Sequence, residues 1–134
     1  VRGVHPRVLT DLGLGAAIRE VADRMPIPVR VDIAIPDRPE PQIEAAAYFV
    51  VSEALANVAK HADATSASVQ AWRHEDSLVV VITDDGSGGA MIGTGSGLSG
   101  LVTRLDVLGG TLDVMSPNCG PTRLRMECPW QVAL

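Results

Sequence analysis

Ser52-Glu53-Ala54-Leu55-Ala56-Asn57-Val58-Ala59-Lys60-His61 is the stretch on which the reading of this chain turns. It is rich in good helix formers and holds no Gly or Pro, so it reads as helix. Glu53, Asn57 and His61 recur at i, i+4 and i+8, with Lys60 adjacent, and so form one polar stripe. Val50, Ala54 and Val58 form a second, apolar stripe. A carboxylate, an amide and two potential cations in line suit a metal cation and its phosphates. A solvated helix face is the commoner fate of such residues, and this helix alone does not decide between the two.

On the N-terminal side, Pro41 fits a helix first turn, and the helix is expected from about Gln42 to His61. Glu44 near its start and Lys60 and His61 near its end suit the macrodipole. Further upstream, Val29, Val31, Ile33 and Ile35 alternate with Arg30, Asp32 and Ala34, the pattern of a half-buried strand. Leu14, Ala17, Ile18, Val21 and Met25 mark an amphipathic helix that Thr10 or Asp11 can cap and that Pro26 and Pro28 stop.

On the C-terminal side, segments 66–73 and 77–84 read as two strands. The short link His74-Glu75-Asp76 makes them an antiparallel hairpin. Leu78 to Ile82 is apolar throughout and belongs at the centre of a sheet. From Asp85 to Gly97 there are six glycines and almost no periodicity, the pattern of a mobile loop. Segment 98–108 returns to helix, with Ser96 able to cap it and Gly109-Gly110 ending it. Segment 111–116 is a short strand, and 117–120 a turn. In the last strand Thr122, Leu124, Met126 and Cys128 alternate with Arg123, Arg125 and Glu127. The order α-β-α-β-β-α-β-β, with strands that keep a polar face, predicts an α/β fold. It is a two-layer α/β sandwich of one mixed sheet with helices on one face.

The totals set bounds. The 134 residues suffice for one domain, 1–134, with a real core. A net charge of −5 argues against nucleic acid as a partner. Cys119 and Cys128 match no zinc signature and no disulfide framework, which points to a reduced, cytoplasmic setting. No apolar run is long enough to span a membrane, so no membrane contact by this domain is expected. The chain opens on Val1-Arg2-Gly3 without Met, as a piece of a longer protein would.

Two further groups carry chemistry. Asp84-Asp85-Gly86-Ser87-Gly88-Gly89 closes the central strand. Asp and Gly make ordinary turns. They also let a strand-end carboxylate accept a hydrogen bond from an exocyclic amine while a flat base nears the backbone. Gly95-Ser96-Gly97-Leu98-Ser99-Gly100-Leu101 leads into a helix, whose free N–H groups attract phosphate. Its G-x-G-x-x-G pattern lacks the preceding strand and βαβ setting of a dinucleotide fold.

In order and spacing the three groups resemble the nucleotide-binding fold shared by sensor histidine kinases, DNA gyrase and related ATPases, the histidine kinase-like ATPase or Bergerat-type fold. Glu53-x-x-x-Asn57-x-x-Lys60-His61 resembles that family's N box, and Asp84 to Gly88 its first glycine box. Gly95 to Leu101 resembles the second. Gly120-Pro121-Thr122 resembles the late Gly-Thr element, with Pro121 inserted. The opening Gly3-Val4-His5-Pro6-x-x-Leu9-x-x-Leu12-Gly13-Leu14 resembles the subgroup paired with NarL/LuxR-type response regulators, as does Leu105-x-x-Leu108-Gly109-Gly110-Thr111-Leu112.

The resemblance implies a catalytic domain that binds ATP and Mg²⁺ and donates the γ-phosphoryl group to a histidine. Asn57 would ligate the metal, a hard oxygen on a hard cation, and Glu53 would give catalytic support beside it. Lys60 and His61 would lie near phosphate. Asp84 would bind the adenine amine with help from Thr122. Gly86, Gly88, Gly95, Gly97 and Leu98 would frame the lid and the phosphates. The lid is short and lacks a Phe-rich segment, the one Phe being Phe49 in the N-box helix. None of His5, His61 and His74 lies in the family's acceptor setting. The acceptor is therefore expected on upstream dimerisation helices of a homodimeric, cytoplasmic-facing kinase that is free to carry a membrane anchor. Two other readings compete: an anti-sigma-factor-type serine kinase, and a non-catalytic, ATP-gated interaction module.

Overall fold

The computed structural model describes residues 7–61, 64–86, 98–115 and 121–131. Its elements are α1 (Arg7–Leu12), α2 (Leu14–Asp23), β1 (Val29–Ala34), α3 (Pro41–His61), β2 (Ala67–His74), β3 (Ser77–Asp84), α4 (Leu98–Val107), β4 (Thr111–Met115) and β5 (Thr122–Pro129). The strands form one sheet in the order β1-β2-β3-β5-β4. β1 and β2 run parallel, joined by α3 as a crossover, and the remaining pairs are antiparallel. The mixed two-layer architecture is the expected one, with β3 at the centre.

The alternation in sequence decides the layers. Leu78, Val80 and Ile82 of β3 face the helices, together with Val69 and Ala71 of β2 and Leu124 and Met126 of β5. From the helices come Ile18, Ile43, Val50, Ala54, Leu55, Leu101 and Leu105. Burying a side chain such as Leu55, fully enclosed, stabilises the fold by about 1.5–3 kcal/mol. The other sheet face carries no helix among the described residues. Val79 and Val81 are nonetheless buried there. Register sets Val79 between Trp72 and Glu127, and Val81 between Gln70 and Arg125. Arg125 and Glu127, paired at 2.9 Å, lie beside them, and long polar side chains can shield apolar neighbours through their stems.

Three local expectations change. Arg7–Leu12 is a short helix of its own, so Thr10 and Asp11 lie inside α1 and cap nothing downstream. Gly13 divides the two helices. Its N–H donates to the Leu9 carbonyl at 3.1 Å, and its φ of 94° is open to glycine at little cost. α2 ends at Asp23, short of Met25, because Pro26 and Pro28 follow closely. Glu44 does more than complement a helix dipole: it is almost fully buried and accepts from Arg38 Nε at 3.2 Å and Nη2 at 2.6 Å. Arg38 also donates to the carbonyls of Leu9 (2.9 Å) and Thr10 (3.1 Å), which ties the end of α1 to the start of α3. The helix α4 ends as expected at Gly109, which takes φ 83°. The glycine loop 87–97, the Ser96 cap, the turn 117–120 and the His5-Pro6 segment lie outside the described residues.

Candidate nucleotide site

The site is organised by one end of the sheet. Ala67 opens β2, Asp84 closes β3 and Thr122 opens β5, and the register sets the three side by side. Asp84 has the parity of Ile82 and Val80, so it points to the helical layer. It is 4% exposed. Its Oδ1 accepts from the Gly86 N–H at 2.8 Å, and among the described residues Oδ2 has no hydrogen bond. Burial raises the Asp84 carboxyl above its ordinary pKa, the Gly86 N–H opposes that rise, and the neighbouring Asp85 charge adds to it.

Asp85 takes the opposite environment. It is exposed and accepts from the N–H groups of Thr65 (2.8 Å) and Ser66 (3.0 Å), and from both of their hydroxyls. These bonds, led by the Thr65 hydroxyl, lower its pKa to about 2. They pin the link between α3 and β2 to the end of β3.

α3 is one unbroken helix from Pro41 to His61 and packs against β3 and β5. Its apolar stripe, Val50, Ala54 and Val58, is buried as expected. Its polar stripe emerges beside it: Glu53 and Asn57 are half-buried, and Lys60 is exposed. The side chains of His61 and Leu98 lie outside the described residues, as do Gly88, Gly95 and Gly97. Next to Glu53, the Ser52 hydroxyl is buried and has no hydrogen-bond partner among the described residues.

The arrangement suits a purine and a phosphate chain better than a protein-only metal cage. Among the described residues no three of His, Cys, Asp and Glu converge as metal ligands. A cation at Asn57 would therefore draw most of its ligands from phosphate and water, as Mg²⁺ does. The inward-facing Asp84 carboxylate is an acceptor at the end of β3, which suits an exocyclic amine.

Sequence reasoning missed Asp85 as the clamp on the α3–β2 link, because a strand-end Asp-Asp pair does not show which carboxylate turns inward. It also missed Arg104. The Arg104 guanidinium lies over the Phe49 ring, 5.4 Å from its centroid.

No protein-family model matches the chain. At 35% identity the chain is similar to the signal transduction histidine-protein kinase/phosphatase UhpB of Salmonella typhimurium, over 94% of this chain and 26% of that protein. It is 34% identical to the sensor histidine kinase NarS of Mycobacterium tuberculosis over 94% of this chain and 32% of that protein. The chain thus spans about a quarter to a third of these relatives. Among solved structures, the histidine kinase domain of the Erythrobacter litoralis blue-light activated kinase superposes with a TM-score of 0.61 at 24% identity, covering 87% of this chain and 57% of that one. The Acinetobacter baumannii histidine kinase AdeS gives 0.61 at 14% identity over 87% and 61%. These likenesses support the shared fold.

Proposed function

We propose that this chain is an ATP-binding domain of the sensor histidine kinase family, that it binds ATP with Mg²⁺, and that it presents the γ-phosphoryl group for transfer to a histidine; the likeness to UhpB and NarS supports this reading. The observation that carries this reading is the inward-facing Asp84, buried beside Thr122 at the sheet end where Asp85 binds Thr65 and Ser66. The bound cation would neutralise charge on the phosphates.

The remaining work falls to the chain's own residues. The Asn57 amide oxygen would hold the cation, and Lys60, with His61, would meet phosphate. Asp84 Oδ2 would accept from the adenine amine, with Thr122 assisting. Glu53 would orient the groups at the reacting end. Gly86 and Gly88 would border the base, and Gly95, Gly97 and Leu98 would border the phosphates from the loop side. In the transfer, the bond from the γ-phosphorus to the bridging oxygen breaks, a bond to an imidazole nitrogen forms, and ADP leaves. The acceptor would stand on dimerisation helices of the same kinase, and the phosphoryl group would pass on to a response regulator of the NarL/LuxR type. The similarity to UhpB and NarS and the Leu105 to Leu112 pattern support that subgroup.

Asn57→Ala tests the metal assignment. It is expected to abolish Mg²⁺-dependent ATP binding in calorimetry while far-UV circular dichroism stays unchanged. Undiminished affinity would overturn the assignment.

A further inference from the structure

Phe49, Glu53 and Asn57 stand at i, i+4 and i+8 on α3, so the polar stripe continues one turn back onto an aromatic ring. That ring is half-buried, sits edge-on to Tyr48 with centroids 5.5 Å apart, and carries the Arg104 guanidinium on it. Arg104 is exposed and belongs to α4, the helix that leaves the second glycine box.

Gly100 lies one turn before Arg104 on α4. Glycine inside a helix costs stability. Among the described residues a Cβ at Gly100 would meet nothing within 4 Å, so close packing does not account for this glycine.

We propose that Arg104 is a positioning residue for phosphoryl transfer. Stacked on Phe49, it sets the separation of α4 from α3 one turn from Glu53, so that the N-terminal end of α4 and the Glu53 carboxylate meet the same phosphoryl group. A planar guanidinium on an aromatic face suits this task, since it combines contact area with attraction to the ring. The inference rests on the Mg²⁺–ATP reading above, and two measurements keep the two apart.

The first is the affinity of this chain for Mg²⁺–ATP, by calorimetry. The second is the single-turnover rate of transfer to the acceptor histidine, in the kinase that carries this domain. Arg104→Ala is expected to leave affinity within about twofold and to slow transfer about five- to tenfold. Arg104→Lys should recover part of the rate, and Arg104→Met, which packs without charge, should not. Phe49→Leu should reproduce the Arg104→Ala rate, and the double variant should be no slower than either. Equal losses in affinity and rate, a Met variant as fast as wild type, or additive effects of the two substitutions would each sink the positioning role. A wild-type chain without Mg²⁺–ATP affinity would instead overturn the function proposed above.

Discussion

At Asp84 the fold raises a carboxyl's pKa by burial, and at Asp85 it lowers the next one by hydrogen bonding. The sign of each effect on stability follows. The folded chain binds a proton at Asp85 less readily than the unfolded chain, so this group stabilises the fold above its ordinary pKa of 3.8. That contribution is lost as pH falls toward about 2. Asp85→Asn should therefore lower the urea midpoint at pH 7 and flatten its dependence on pH across that window. An unchanged acid limb would show that the Thr65 and Ser66 contacts do not bear on stability. Asp84 acts in reverse: burial favours its protonated form, and ionisation weakens the fold as pH rises through the raised pKa. Asp84→Asn should make the ligand-free chain more resistant to urea at pH 7. It should also cost roughly tenfold to a hundredfold in ATP affinity, the loss of a hydrogen bond to a charged group. Inorganic triphosphate should be affected far less, and equal losses for the two ligands would mean that Asp84 does not read the base. Sequence showed both carboxylates at a strand end. Which of them faces inward followed from the parity of β3 and from the bonds that Thr65 and Ser66 donate to Asp85.

At the scale of elements, periodicity was legible wherever it was strong. α3, the hairpin of β2 and β3, and β5 lie close to where alternation and helix spacing put them. The errors sit at the N-terminal helices, where Gly13 acts through a left-handed φ that a sequence does not display. The Arg38–Glu44 contact was hidden as well, since a Glu in the first turn of a helix is usually solvated. Its partner comes from the loop before α3, and the same guanidinium also donates to the α1 carbonyls of Leu9 and Thr10. Glu44 is nearly fully buried, and Arg38 is its ion-pair partner. Arg38→Ala leaves that acceptor without its donor and should cost about 1–3 kcal/mol in urea unfolding. It should also release the amide protons of 7–12 to faster hydrogen exchange. Arg38→Met combined with Glu44→Leu should recover much of the loss, because apolar replacement of both partners removes the stranded charge.

At the scale of the molecule, the proposed reading requires an acceptor outside this chain. His74, exposed at the end of β2, pairs with Ser77 at the start of β3, the end of that strand opposite Asp84. Incubated alone with γ-labelled ATP, the chain should take up little or no acid-labile phosphate, and efficient labelling would contradict the expectation. The sequence by itself determined the layers and where the three motif-like stretches lie along the chain. Helix periodicity, strand alternation and glycine-rich breaks are local properties, and each survives in any fold that buries the same apolar faces. Only the tertiary structure decided which of the described residues meet. The parallel crossover through α3, the register that sets Thr122 beside Asp84, and the Asp85 clamp join residues far apart in the chain. So does the stack of Arg104 on Phe49. Such contacts depend on sheet order and on which side of a strand end a side chain leaves, and no local pattern encodes either. The Glu53 to His61 stripe was therefore ambiguous as a helix face. It became one wall of a candidate nucleotide site once the fold packed α3 against β3 and β5.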